Sequence, residues 1–295
     1  MQALLGGVHG IDYLLFHLLL GATVFRWAVV SAGGPDGEAS DPKWRSRWKA
    51  LVWLTLLSSL SWMVLTEADM GDSWLPRDLW LATAHTWFGH LWCARTVALL
   101  LLAVASDWVR PDGKNLLIAT AILSALALAS SLSGHAASQD TGLWWRVSLD
   151  LAHSLAAGAW AGGLVSLYFW LGTRIGEGGG DRSVTLAVVH RFSRLAMAST
   201  ALLLVTGLAM AWASGLPPLR PWAVPYGQFI VGKAAFFGIA LLAAAVNQFQ
   251  HLRRPAKSEV RFAAGLRREV RLEIFCVIVV FLIAGFLSRT SLPTG

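Results

Sequence analysis

The chain has 295 residues, 56% of them hydrophobic and only 14% charged, whereas a soluble domain carries about 25% charged residues. With a mean hydropathy of +0.57 and long apolar runs throughout, this excludes a large water-soluble core and indicates a polytopic membrane protein. The formal net charge of +7 does not argue for nucleic acid, because the basic residues gather in alternate loops, and the two cysteines, Cys93 and Cys276, lie in apolar runs and suggest no disulfide framework.

Eight runs of about 20 residues, the length a helix needs to cross a bilayer, follow in chain order. They are Val8–Val30, Trp48–Ala68, Leu81–Ala105, Leu116–Leu132, Trp145–Leu171, Arg194–Ser214, Gln228–Gln250 and Glu269–Ser288. The runs are too long and too continuously apolar for the alternation of a barrel. The predicted fold is therefore all-α, a single transmembrane domain over residues 1–295 with eight membrane helices. Several of the 16 Trp residues, among them Trp27, Trp74, Trp80, Trp144 and Trp222, stand at run ends, where indole rings suit the lipid–water boundary. The first residues lack a basic stretch and a cleavage site, so no signal peptide is expected.

Charge sets the expected orientation. The loops after runs one, three, five and seven hold eighteen of the 24 Lys and Arg residues. The opposite side holds only Arg77, Arg146, Arg220 and Arg289, while Arg95 and Lys233 lie inside runs. The excess marks the odd-numbered loops as cytoplasmic and puts both termini on the periplasmic side of a bacterial inner membrane.

On that topology five of the eight histidines fall at the outer level: His9, His85, His90, His135 and His153. His17 lies deeper, and His190 and His251 are cytoplasmic. Asp12, Glu67, Asp69, Asp72, Asp140, Asp150, Met70 and Met210 share the outer level. Ionisable groups inside a span are costly and usually mark a site or pathway. Imidazole and thioether suit copper or another late transition metal, whereas carboxylates alone suit Mg or Ca. Asp150 and His153 are spaced i, i+3 and share a helix face, so Asp150 can orient a metal-bound imidazole. His90 and Cys93 have the same spacing. His85 and His90, at i, i+5, lie on different faces unless the helix breaks between them. Each lone histidine has a bland alternative, a hydrogen bond to a neighbouring helix, and Arg95, Lys233, Asn247 and Glu273 read as structural partners between helices. Histidines on different helices also ligate haem iron, with His17, His85, His90 and His153 as candidates. No nucleophile elbow, phosphate loop or metalloprotease motif is present, so no enzymatic activity is expected.

The stretches "GHAA" (Gly134–Ala137) and "DLAHSLAAGAWAGGL" (Asp150–Leu164) resemble the copper resistance D (CopD) family of bacterial inner-membrane proteins. "TWFGHLW" (Thr86–Trp92), "RFSRLAMASTALLLVTG" (Arg191–Gly207), "YGQFIVGKAAFFGIALLAAAVNQF" (Tyr226–Phe249) and "LRREVRLEIF" (Leu266–Phe275) fit it in the same order. The resemblance implies an eight-helix protein that handles copper, Cu(I) or Cu(II), imported across the membrane or received from a periplasmic partner of the CopC type. It carries over to His135 and His153 as ligands, with Gly134 and Trp160 as motif residues. His9, His85 and His90 rest on the residue argument as further ligands. Asp150, Asp12, His17, Cys93 and Met70 are the expected supporting or pathway groups. A copper acceptor that passes the ion on without translocation is the alternative, and a b-type haem protein the third reading.

Overall fold

A computed structural model describes residues 2–31, 43–71, 74–106, 113–133, 142–176, 178, 181–217, 219–253 and 259–291. Among these residues nine α-helices occur and no strand. They are α1 (Gln2–Val24), continued by a π-helical segment Phe25–Val30, α2 (Trp44–Gly71), α3 (Pro76–His85), α4 (Trp87–Ala105), α5 (Gly113–Ser133), α6 (Leu143–Gly176), α7 (Arg182–Ala213), α8 (Pro225–Arg253) and α9 (Glu259–Leu287). All except the ten-residue α3 are long and apolar enough to cross a membrane, which gives the eight spans expected.

The third predicted run, Leu81–Ala105, requires correction. It is two helices that part at Thr86, whose backbone is extended (φ −110°, ψ 148°). The Thr86 hydroxyl accepts the backbone N–H of Gly89 at 2.9 Å, so Thr86 caps α4 and satisfies a donor that a continuous helix would have used internally. Gly89 permits the bend. A Cβ there would run into the Thr83 backbone. Other helices extend beyond their apolar runs. The run Arg194–Ser214 sits in a helix that begins at Arg182, because Asp181 caps it by accepting Ser183 N–H at 2.8 Å. That backbone hydrogen bond holds the Asp181 carboxyl below the usual carboxylate range.

Helix α1 is the hub. It packs against α2 and α5 on one side and α6 and α9 on the other. Phe16, Leu19 and Leu20 join Leu56 of α2, Leu99 of α4 and Leu123 of α5 in one apolar cluster. Phe25, Val29 and Val30, just beyond α1, join Trp160, Leu164 and Trp170 of α6, Phe192 of α7 and Val277 of α9 in a second. In lipid the hydrophobic effect does not separate helices from solvent, so close contact depends on small residues. Gly21 faces Gly158 and Gly162 of α6, and a Cβ on Gly21 would collide with the Gly158 carbonyl. Gly6 and Gly10 face α9 in the same way, with Gly285 lying against Gly10 N and Gly6 O. The small-residue run Ala156–Gly163 thus seats α6 on α1.

Candidate functional site

Three polar layers lie along α1, about two turns apart in total from His9 to His17. At His9 the imidazole stacks on Trp62 of α2, with ring centroids 3.9 Å apart and planes 6° apart, and lies 4.1 Å from the Tyr13 ring. Its Nδ1 is 2.6 Å from Ser288 Oγ beyond the end of α9. The Ser288 hydroxyl donates to Gly285 O at 2.8 Å. With its one proton committed there, the serine oxygen accepts from His9 Nδ1–H. Arg289 pairs with Asp69 at 2.5 Å and lies 6.0 Å from the Trp62 ring centroid, so the same end of α9 is tied to α2. Glu67, 2% exposed, accepts from Thr83 of α3 at 2.7 Å.

One turn inward, Asp12 is fully buried. Arg95 of α4 donates to Asp12 Oδ2 at 2.9 Å, and Ser58 and Ser59 of α2 donate to Oδ1 at 3.1 and 3.0 Å. Arg95 also donates to Ser59 and to Ser130 of α5, and its guanidinium lies 4.6 Å from the rings of both Phe16 and Trp92. A buried pair is tolerated only when its remaining donors and acceptors are satisfied, as they are here. Both Asp12 oxygens are engaged by protein donors, so the residue joins α1, α2, α4 and α5 rather than offering an open ligand oxygen.

The third layer joins α1, α6, α7 and α8. His17 Nδ1 is 2.6 Å from Tyr13 O, a carbonyl that can only accept, so His17 donates there. Its Nε2 then accepts the hydroxyl of Ser154 on α6 at 2.9 Å. His153, next to Ser154, has Nδ1 at 2.9 Å from Thr206 Oγ1 on α7. Thr206 donates its own proton to Leu202 O at 2.7 Å, so His153 Nδ1 is the donor and Nε2 keeps its lone pair. Among the described residues no hydrogen bond engages that nitrogen. Lys233 of α8, read from the sequence as a structural partner, lies within electrostatic range of Asp150, His153 and His17. Two opposite charges in separate apolar spans, Asp150 and Lys233, were the available sequence signal for that relation.

Of the imidazoles expected to converge, those that the structure describes lie at separate levels and on separate faces. Among the described residues no group of three His, Cys, Asp or Glu side chains is placed to hold a metal ion. His135, Asp72 and Asp140 lie outside the described residues. The break at Thr86 does let His85 and His90 leave their i, i+5 relation, yet both are exposed, and His90 Nε2 is bonded to Ala84 O at 2.7 Å. His9 and His153 occupy different layers because seven intervening residues on α1 separate His9 from His17, the neighbour of His153. Cys93 is a half-buried free thiol, Met70 is 58% exposed, and Trp160 is core, edge-on to Phe237 at 5.3 Å. His153 thus presents an Nε2 lone pair to a metal, with Asp150 one helical turn away.

Residues 1–147 match the family model described as Copper resistance protein D-like, N-terminal domain, and residues 186–287 match the model described as Copper resistance protein D. A curated relative, Copper resistance protein D of Pseudomonas syringae pv. tomato, is 26% identical over 256 residues, which cover 82% of this chain and 81% of the relative. No solved structure matches the chain.

Proposed function

We propose, on the premise that this chain belongs to the copper resistance protein D family, that it is a copper importer of the bacterial inner membrane, a carrier rather than an enzyme. The ion arrives at the periplasmic face from a soluble copper-binding partner of the CopC type. His135 and His153 receive it, with His9, His85 and His90 as further ligands on the approach. The observation that carries this reading is the state of His153. Its proton is fixed on Nδ1 by a hydroxyl with none to return, which leaves Nε2 as a neutral ligand nitrogen of the kind copper takes.

The donor at this site selects among cations. Imidazole nitrogen suits an ion such as copper, and a hard ion prefers oxygen ligands. Inward of His153, α6 presents Ala156, Trp160, Ala161 and Leu164 to the core, with no ligand among them. This favours a second reading, in which copper is held near the outer face and handed on without crossing.

Uptake of radioactive copper into proteoliposomes separates the two. Import predicts accumulation in the lumen that resists an external chelator and falls with His153→Ala. Stoichiometric binding that an external chelator removes completely, with no uptake above empty vesicles, rejects import and leaves the acceptor.

A further inference from the structure

Helix α9 carries two ionisable side chains that the three layers on α1 leave unused. Cys276 is a free thiol, 1% exposed. Glu273, 5% exposed, stands three residues earlier and so shares its helix face. Glu273 Oε1 accepts from the Asn247 amide of α8 at 2.9 Å, which joins the two helices as the sequence suggests. Among the described residues nothing donates to Oε2 and no cation pairs with the carboxyl. Buried carboxylates are otherwise paired or bound to a metal. The Glu273 charge lies within electrostatic range of the Cys276 sulfur.

Both groups lie inward of the layer that holds His17 and His153. Phe281 of α9 meets His17, with ring centroids 4.8 Å apart. From there α9 runs outward to Ser288 at His9, and in the other direction towards the basic loop before it, the side read as cytoplasmic. Cys276 precedes Phe281 by five residues and Glu273 precedes it by eight, which puts them about 7.5 and 12 Å deeper at the rise of a helix. Cys276 belongs to the same buried cluster as Trp160, Ala161 and Leu164. The stretch of α6 that lacks a ligand therefore packs with a sulfur supplied by α9.

We propose that Cys276 is a second copper ligand, inward of His153, and that Glu273 takes its proton when the ion binds. The inference rests on the import reading, to which it adds an inner station. Thiolate is a soft ligand that selects Cu(I), and a thiol must lose its proton to bind. The S–H bond breaks as the S–Cu bond forms, and the proton passes to Oε2 of Glu273 while Asn247 keeps Oε1. Copper stays Cu(I) throughout. The positive charge of the ion offsets the negative charge of the carboxylate, so the loaded station is neutral in its apolar surroundings. A single thiolate suits a station the ion must also leave, since passage requires binding weak enough for release.

Anaerobic Cu(I) titration of the full chain, read by the ultraviolet absorption of copper–thiolate bonds, tests the ligand, and radioactive copper uptake into proteoliposomes tests its use. The absorption should appear with the second equivalent of Cu(I), persist in Cys93→Ser and vanish in Cys276→Ser. Cys276→Ser should lower the initial uptake rate at least about tenfold and leave the chelator-accessible first equivalent bound. Glu273→Gln keeps an oxygen for Asn247 and should slow loading of the second equivalent about tenfold. Absorption that survives Cys276→Ser, or uptake by the wild type with no such absorption, overturns the inference and leaves import standing. Absorption that Cys276→Ser abolishes, without uptake by the wild type, rejects import and keeps the ligand. Should Cys276→Ser fail to assemble, Glu273→Gln decides, and an unchanged loading rate overturns the proposal.

Discussion

His17 and His153 lie on α1 and α6, and their neighbours use their ring nitrogens differently. Tyr13 O and Ser154 occupy both nitrogens of His17, whereas Thr206 takes only Nδ1 of His153. Replacing His153 with alanine should weaken Cu(I) binding at least tenfold, about 1.4 kcal/mol, in competition with a chromophoric chelator. His17→Ala should have a smaller effect, and exposed His190→Ala none. A charged lysine beside a bound cation opposes it, so Lys233→Gln should tighten binding by roughly tenfold in the same assay. An unchanged affinity in Lys233→Gln would show that the ammonium does not bear on the ion. His153 and Asp150 were legible in the sequence because charge and imidazole are rare inside apolar runs. The direction of the His153 proton was not, since it depends on a threonine 53 residues further along the chain.

At the scale of the element, two devices hold the helices in register. Asp12 and Arg95 form a buried ion pair whose every polar atom has a partner. Removing one member should cost about 3–5 kcal/mol by stranding a charge. Asp12→Asn and Arg95→Met should each lower the unfolding temperature in detergent, and the double variant should lose less than the two combined. Additive losses would show that the pair is not coupled. The second device is glycine contact. Gly21→Val places methyl groups where the Gly158 carbonyl stands, so α1 and α6 must separate, at a cost of about 1–3 kcal/mol or more. The paired charges and the small-residue run are visible as letters. Their partners are not, because Arg95 and Asp12 are separated by 83 residues and only packing selects one cation for one carboxylate. Thr86 was missed for another reason. The run around it is apolar enough to read as continuous, and a single capping hydroxyl outweighs that pattern.

For the whole molecule, hydropathy sufficed to count the spans, since each must be satisfied by its own backbone hydrogen bonds and eight such helices occur among the described residues. An even number returns the chain to the side on which it began, and the basic loops predict which side that is. Alkaline phosphatase joined after α9 should be active, and joined in the loop between α6 and α7 it should be inactive. The reverse pattern would invert the proposed orientation. The proposed imidazole site was less legible than the helices, because a shared membrane depth does not say which side chains around the bundle face one another, and His135 lies outside the described residues. The hub position of α1 also bears on biogenesis. Asp12 enters the translocon long before Arg95 has been synthesised, and a lone aspartate inside a span is costly, up to about 2.5–3.5 kcal/mol at the centre on insertion scales. A nascent chain arrested ahead of α4 should therefore hold its first segment loosely, open to extraction by quality-control proteases. It should become resistant once the arginine emerges to neutralise it.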